Sequence, residues 1–469
     1  MNAPVFDNSY ATLPPRMYAQ VDAAGSPKPK LIALNRPLAR RLGLDPDWLA
    51  GEQGLAMLSG NDLPPGAASI AQAYAGHQFG HLSPQLGDGR ALMIGEVVAP
   101  DGKRFDLQLK GAGRTPFSRQ GDGKSWLGPV LREYLDSEFM AAMGVPTTRA
   151  LAAVATGEQV HRETTLPGGI MTRVAASHIR VGTFEYFGIR GDIEATRALV
   201  DHVVARHYRD ARSPLELLER VIAAQASLIA RWMALGFVHG VMNTDNMAIS
   251  GETIDYGPAA FMDGYHPDTV FSSIDRHGRY AWAEQPHVAI WNLAQFASCL
   301  IPLMGADEEK AVEDATRAVH GFPDLYQAAW MQNFCAKIGL QPSDSAKAFI
   351  DRLLDLMAAE RADFTRVFAG LASGEARDEF MARDAFDAWY GDWQKAKPDP
   401  ELMAKTNPVR IPRNHRVEEA IQAAIVDDFA PFHKLDEALH SPFENRPEWD
   451  DLAIAPLESE RVTRTFCGT

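Results

Sequence analysis

The rhythm of apolar and polar residues changes near residue 190, dividing the chain into a strand-bearing part and a helical part. In the first part, ALMIGEVV (91–98) is strand-like, DGK is a turn, and RFDLQLK alternates Phe105, Leu107 and Leu109 with polar residues. Alternation with period two predicts a strand with one buried face, and the Asp101-Gly102 turn predicts a hairpin. A helix follows over GPVLREYLDSEFMAAMG, where Leu131, Leu135 and Phe139 recur every four residues and Gly144 ends the run. RALAAVATG and GGIMTRVAA read as two more strands. Residues 1–60 are mixed, with a helical stretch around PLARRLGL.

Beyond residue 190 the period is helical. DIEATRALVDHVVARHY and SPLELLERVIAAQASLIARWMALG are long helices, the second opened by Ser213-Pro214. PHVAIWNLAQFASCLIPLM and SDSAKAFIDRLLDLMAAERADF follow, and the last 70 residues are proline-rich with short helices. The order predicts an α+β chain with two lobes and a cleft, the usual place for a ligand. The expected boundaries are 1–185 for a strand-containing N-terminal lobe, 186–400 for a helical C-terminal lobe, and 401–469 for an extension packed on both.

Composition excludes more than it assigns. Of 469 residues, 46% are hydrophobic and 23% charged, an ordinary globular balance. A net charge of -15 argues against non-specific nucleic-acid binding, so a phosphate site here must be a local basic pocket. Cys299, Cys335 and Cys467 are too few and too scattered for a disulfide framework or a zinc site. No stretch is apolar enough to span a membrane, and the N-terminus lacks signal-peptide features. The expectation is a cytoplasmic protein without nucleic-acid or membrane partners.

The chemistry concentrates in FVHGVMNTDNMAIS (237–250). It matches the H-R-D-x-x-x-x-N loop of protein kinases at His239 and Asn246, but Val241 stands where the base aspartate belongs. Nine residues on, DYGP is a relative of D-F-G. Asn246 and Asp255 carry the hard oxygens that magnesium takes together with phosphate oxygens. Asp245 is the only nearby carboxylate able to replace the missing base. Lys110 ends a strand and Glu133 lies on the next helix, the arrangement of the kinase lysine–glutamate pair. Alone, that pair reads as two surface charges; the loops alter the balance.

Other features admit two readings each. The glycines of GDGR (87–90) and GDG (121–123) let backbone amides approach phosphate, or simply make turns. Arg114, Arg119 and Lys124 form an anion site or a solvated loop. Arg173 grips phosphate or makes a buried structural ion pair. Arg180 joins the same pocket. His77 and His81 have i, i+4 spacing without a zincin glutamate, and Trp282 and Trp291 read as core. There is no Ser nucleophile elbow and no P-loop.

Taken together, LQLKGAGRTPFSRQGDGKS, HGVMNTDNM and IDYGPAAFMD resemble the motifs of the selenoprotein O family, called YdiU in bacteria. The likeness runs from YATLPPRMYA to the C-terminal cysteine. It implies a protein-kinase-like fold that transfers AMP from ATP to Ser, Thr or Tyr hydroxyls of proteins, with the protein itself among the candidate acceptors. ATP then lies flipped relative to kinases, and pyrophosphate leaves. By resemblance, Gly87, Gly89, Arg90, Lys110, Asp122, Gly123, Arg173 and Arg180 bind ATP, together with Asp255. Asp245 accepts the proton, Asn246 and Asp255 hold Mg2+ (or Mn2+), and Glu133 pairs with Lys110. One departure stands out. A disulfide between the C-terminal cysteine and the activation segment, implied for some members, lacks a partner, because residues 256–298 contain no cysteine and carry Ser272 and Ser273 there. The alternatives are a kinase with a displaced base and an inactive nucleotide-binding scaffold.

Overall fold

The structure, a computed structural model, describes residues 3–466. Eight strands form one antiparallel sheet: β1 (Tyr18–Gln20), β2 (Lys30–Leu34), β3 (Ile70–Gln72), β4 (Ala91–Val98), β5 (Arg104–Lys110), β6 (Ser125–Trp126), β7 (Arg149–His161) and β8 (Thr165–Ala175). Their order is β1-β3-β4-β5-β8-β7-β2, with β6 pairing β8 off that path. The β4–β5 hairpin turns at Asp101-Gly102 as expected. Gly102 takes φ +80°, and Asp101 accepts from the Lys103 amide at 3.0 Å.

The alternation in β5 is real, but both of its faces are covered. Leu107 and Leu109 pack with Leu38, Trp48, Leu49 and Met57 from three short helices over residues 36–58. Asp106, Gln108 and Lys110 point the opposite way and are also buried. That polar face is tolerable because each group has a partner on a neighbouring element. Facing it is α1 (Leu127–Ala142), which ends at Gly144 with φ +70°. Leu131, Leu135 and Phe139 of α1 join a larger core that runs without a break into the helical part.

The helical part begins with α2 (Val181–Gly188), α3 (Ile193–His207), α4 (Pro214–Ala234) and α5 (Gln285–Leu300). Ser213 caps α4 through the Glu216 amide, and Pro214 occupies its first turn. A helix over Asp344–Glu360 matches the expected one. Near the C-terminus, helices Asn414–Ile425 and Ala430–Leu439 pack on α1, with Tyr134 edge-on to Phe432 and Arg132 donating to Asn414 at 2.9 Å. Among the described residues, no helix is long and apolar enough to cross a membrane.

Two small pieces escaped the sequence reading. A two-stranded hairpin, Gly76–Gln78 with His81–Ser83, stands apart from the main sheet. The tail returns as a bridge between Ser272 and Thr465; Thr465 donates to the Phe271 carbonyl at 2.8 Å, and Ser273 donates to Thr465 at 3.1 Å. Cys467 lies outside the described residues, while Cys299 and Cys335 are free and buried.

Candidate active site

The sheet register brings three polar residues to one place. Gln108 of β5 sits opposite Arg173 of β8, and Lys110 follows two residues on, on the same face. Lys110 Nζ reaches Glu133 of α1 and Asp255. Arg173 Nη1 donates to Glu133 at 3.1 Å and to Asp255 at 3.2 Å, while its other nitrogens hold Gln108 Oε1 at 3.1 and 2.6 Å. Two cations and two carboxylates thus form one knot, buried except at Asp255, that spans sheet, α1 and the DYGP loop. Arg173 makes a buried ion pair with Glu133, and the expected Lys110–Glu133 pair is present.

Asp255 stands at φ +68°, a left-handed conformation uncommon for a residue with a Cβ. Burial pushes its carboxyl upward, but Lys110, Arg173, Arg180 and Arg90 overcome that and hold it well below the usual carboxylate range. Arg180, the residue before α2, stacks over Tyr74 at 4.3 Å and lies 3.7 Å from Asp88. All four arginine and lysine charges therefore act on one carboxylate.

The loop after α4 is fixed from several sides. His239 is fully buried, with Nε2 2.9 Å from the Ile254 carbonyl, next to Asp255. Burial lowers its pKa, so it acts as a neutral strut. Asn292 of α5 holds the Met242 carbonyl at 2.9 Å. Asn246 Nδ2 donates to the Val241 carbonyl at 2.9 Å, which leaves the amide oxygen as the side chain's ligand atom. The residue in the kinase base position therefore serves through its backbone.

Asp245 is buried, and its Oδ1 has no hydrogen-bond partner. Burial, with lesser contributions from Asp255 and Glu185, pushes its carboxyl up to about 7 against the pull of Arg180. Its cover is the small hairpin. A Cβ on Gly76 would come within 2.2 Å of Asp245 Oδ1. The His77 amide donates to Thr244 Oγ1 at 2.7 Å, and His77 Nδ1 lies 2.6 Å from Glu185 Oε1. Thr244 in turn donates to Glu185 Oε2. Glu185 thus ties α2, the hairpin and the base loop together. Neither His77 nor Glu185 was legible as a site residue, because their partners lie 59 to 167 positions away. His81 is exposed and shares none of this.

The two glycine loops are docked on each other. Thr115 Oγ1 donates to the Asp88 carbonyl at 2.7 Å, and Ser118 to that of Gly89. The space a Cβ would need at Gly87 is filled by the Phe117 ring, 2.3 Å away, and at Gly89 by the Phe117 carbonyl at 2.9 Å. Close packing alone therefore demands glycine at both. Arg90 immediately precedes β4, and its carbonyl accepts from the Gly111 amide at 2.7 Å. Gly123 takes φ +69° against the Gly113 carbonyl. Asp122 faces Arg162, at 2.9 and 3.2 Å. Lys124 pairs with Glu158 at 2.6 Å and Arg114 holds the Gly121 carbonyl, so neither joins the Lys110 knot. Arg119 adopts φ +54° on the same loop.

Among the described residues, no three His, Cys, Asp or Glu side chains converge on a common point. Asn246 and Asp255 together supply what magnesium uses when substrate phosphates complete its shell. Clustered cations beside Asp245, whose carboxyl burial pushes up to about 7, fit an enzyme that acts at phosphorus.

Comparison with known proteins carries this to a family. The model of the family described as "Protein adenylyltransferase SelO" matches residues 2–440. A "Protein nucleotidyltransferase YdiU" from Rhodopseudomonas palustris (strain BisB5) is 55% identical over 486 residues, covering 99% of each chain. Proteins with the same description from Ruegeria pomeroyi and Jannaschia sp. are 54% and 55% identical, again over 99% of each chain. The chain belongs to the SelO family.

Proposed function

We propose that this protein transfers AMP from ATP to Ser, Thr or Tyr hydroxyls of proteins, from a triphosphate that lies reversed relative to kinases. The observation that carries this reading is the displaced carboxylate. Val241 occupies the kinase base position with its backbone, while buried, unpartnered Asp245 stands four residues on.

In this reaction the acceptor oxygen attacks the α-phosphorus, the bond from that phosphorus to the β-bridging oxygen breaks, and pyrophosphate leaves. The acceptor proton passes to Asp245 Oδ1, whose pKa near 7 suits a base at neutral pH. Lys110, Arg173 and Arg180 supply the positive charge for the β and γ phosphates, and Glu133 fixes the lysine. Gly87, Gly89, Arg90, Asp122 and Gly123 shape the nucleotide's surroundings from the two docked loops. Mg2+ (or Mn2+) would be held by Asn246 and Asp255 and would neutralise charge at the reacting phosphate. Positioning and charge neutralisation are most of what phosphorus transfer needs.

The same reading takes residues 1–185 and 186–400 as the two lobes of a kinase-like fold, residues 401–469 as their extension, and the cytoplasm as its compartment. A disulfide from the tail to the activation segment has no place in it. Ser272 meets Thr465 through backbone pairing instead.

Intact-mass spectrometry after incubation with ATP and metal is the test. An AMP-sized gain on an acceptor protein or on the chain supports the proposal, and its loss in Asp245→Asn assigns the base. A phosphate-sized gain replaces it with a kinase, and ATP binding without any modification replaces it with a scaffold.

A further inference from the structure

A groove of about 880 Å³ opens beside the base loop. Its wall is the segment 274–281, and it ends on Phe79 of the small hairpin and Trp291 of α5. This wall hangs on the catalytic loop. Tyr280 donates to Asn243 Oδ1 at 2.6 Å, and the Phe79 amide donates to the same oxygen at 3.1 Å. Asn243 is two residues before Asp245, so the groove's wall is tied to the loop that carries Asp245.

The charges in the groove are unequally committed. Asp275 is consumed by the amides of Arg279 and Tyr280, at 3.0 and 2.8 Å. Glu284 faces His287 at 3.1 Å. Asp268 projects into solvent, its side chain 85% exposed. Arg276 and Arg279, by contrast, form no ion pair with any described carboxylate. Arg279 lies half-buried, its guanidinium 5.0 Å from the Trp291 ring and 5.8 Å from the Tyr280 ring, with Nε lacking a hydrogen-bond partner. The three carboxylates that line the groove are engaged elsewhere or face solvent, which leaves both arginines without an ion pair. A planar guanidinium matches a carboxylate bidentately, and the neighbouring rings limit its freedom. Exposed Ile274 beside it offers an apolar contact.

We propose that this groove is the docking site of the acceptor protein, and that Arg279, with Arg276, selects acceptor segments carrying Asp or Glu next to the hydroxyl to be modified. The inference rests on the AMP-transfer reading above and adds its substrate class. Arg279 is a specificity-determining residue: it meets the acceptor chain and not the reacting phosphorus.

The probes are random poly(Glu,Tyr) and poly(Lys,Tyr) copolymers. The wild-type protein is expected to adenylylate poly(Glu,Tyr) with a KM at least tenfold below that for poly(Lys,Tyr). Arg279→Gln is expected to raise the poly(Glu,Tyr) KM at least tenfold, the effect falling on KM rather than kcat, while ATP affinity stays within twofold. Arg276→Gln, on an exposed side chain that no packing depends on, is expected to raise it severalfold. Anisotropy of fluorescein-labelled poly(Glu,Tyr), measured without ATP, reads docking separately from chemistry. Arginine-dependent binding without AMP transfer would leave the groove standing and end the transferase reading. AMP transfer with both copolymers equal, or with binding and KM untouched by both variants, would overturn the groove and leave the transferase.

Discussion

Adding one methyl group to Gly76 should disarm the enzyme without touching its chemistry. Gly76 has ordinary backbone angles, so Gly76→Ala brings no conformational strain of its own. Its new Cβ would sit 2.2 Å from Asp245 Oδ1, 2.7 Å from Asp245 Cγ and 2.8 Å from Leu86 Cδ1. Ordinary contact begins at 3.4 Å, so the carboxylate or the hairpin must yield by a little over 1 Å. Asp245 has little room to retreat, with Gly182 packed behind its Cα and Thr244 tied to Glu185. A misplacement of about 1 Å costs on the order of 100-fold in rate, or about 2.7 kcal/mol at the transition state. If the hairpin lifts instead, overpacking costs about 1–3 kcal/mol of stability. Steady-state AMP transfer, ATP affinity and Tm separate the outcomes. The expected result is a kcat drop of roughly 100-fold with ATP affinity kept within about twofold. Wild-type kcat at wild-type Tm would refute the claim that the hairpin sets the base.

Four further outcomes follow from the same geometry. Asp255→Ala should abolish transfer by removing the proposed metal ligand and leaving Lys110 and Arg173 mutually repelling; measurable labelling by the variant would contradict the assignment. Lys110→Ala should weaken transfer about 100-fold or more, since a preorganised charge at phosphorus is worth several kcal/mol, and unchanged turnover would remove Lys110 from the site. Thr244→Val should lower kcat by roughly 10-fold while sparing ATP affinity, because it cuts the Glu185 and His77 ties without changing side-chain size; equal kcat would show that the clamp is idle. Lys337 is buried with no carboxylate partner, and burial lowers its amine to about 7 from 10.5. The folded state then binds fewer protons than the unfolded state between those values, so this residue makes stability rise with pH, at up to about 1.4 kcal/mol per unit. The nearby rings of Phe364 and Phe368 favour the charged amine and soften that slope. Lys337→Met should remove this pH dependence in urea titrations at pH 7 to 10 and stabilise the protein at pH 7; parallel curves for the two proteins would contradict it.

The sequence showed most of what local periodicity can show. The β4–β5 hairpin, α1 with its Gly144 stop and the Ser213-capped α4 are all written in short-range patterns, and the structure has them. The Lys110–Glu133 pair was legible because a strand-end lysine is followed by a helix bearing a glutamate, and Asn246 and Asp255 stood out as candidates because their loops have kinase-like spacing. The role of Gln108 was not legible, since it depends on the β5–β8 register that sets it against Arg173. Glu185 was hidden for the same reason: in the chain it is one acid on a short helix, and only tertiary packing puts Thr244 and His77 on its two oxygens. Trp291, read as core alongside Trp282, is only half-buried and lines a groove. An apolar period does not distinguish a residue facing the core from one facing a cavity. The glycines of GDGR read as phosphate approach or as a turn, and packing against the Phe117 ring is a further reason, invisible in the sequence, why no larger residue fits at Gly87.

The pairing of Thr465 with Phe271 and Ser273 has a practical side. Thr465 also donates to the Pro258 carbonyl, three residues after Asp255. Anything fused downstream of it therefore pulls, through a few main-chain bonds, on the loop bearing the metal-ligand candidate. Affinity handles and fluorescent reporters belong at the opposite terminus, and a dead C-terminal fusion would report on leverage before it reported on any side chain.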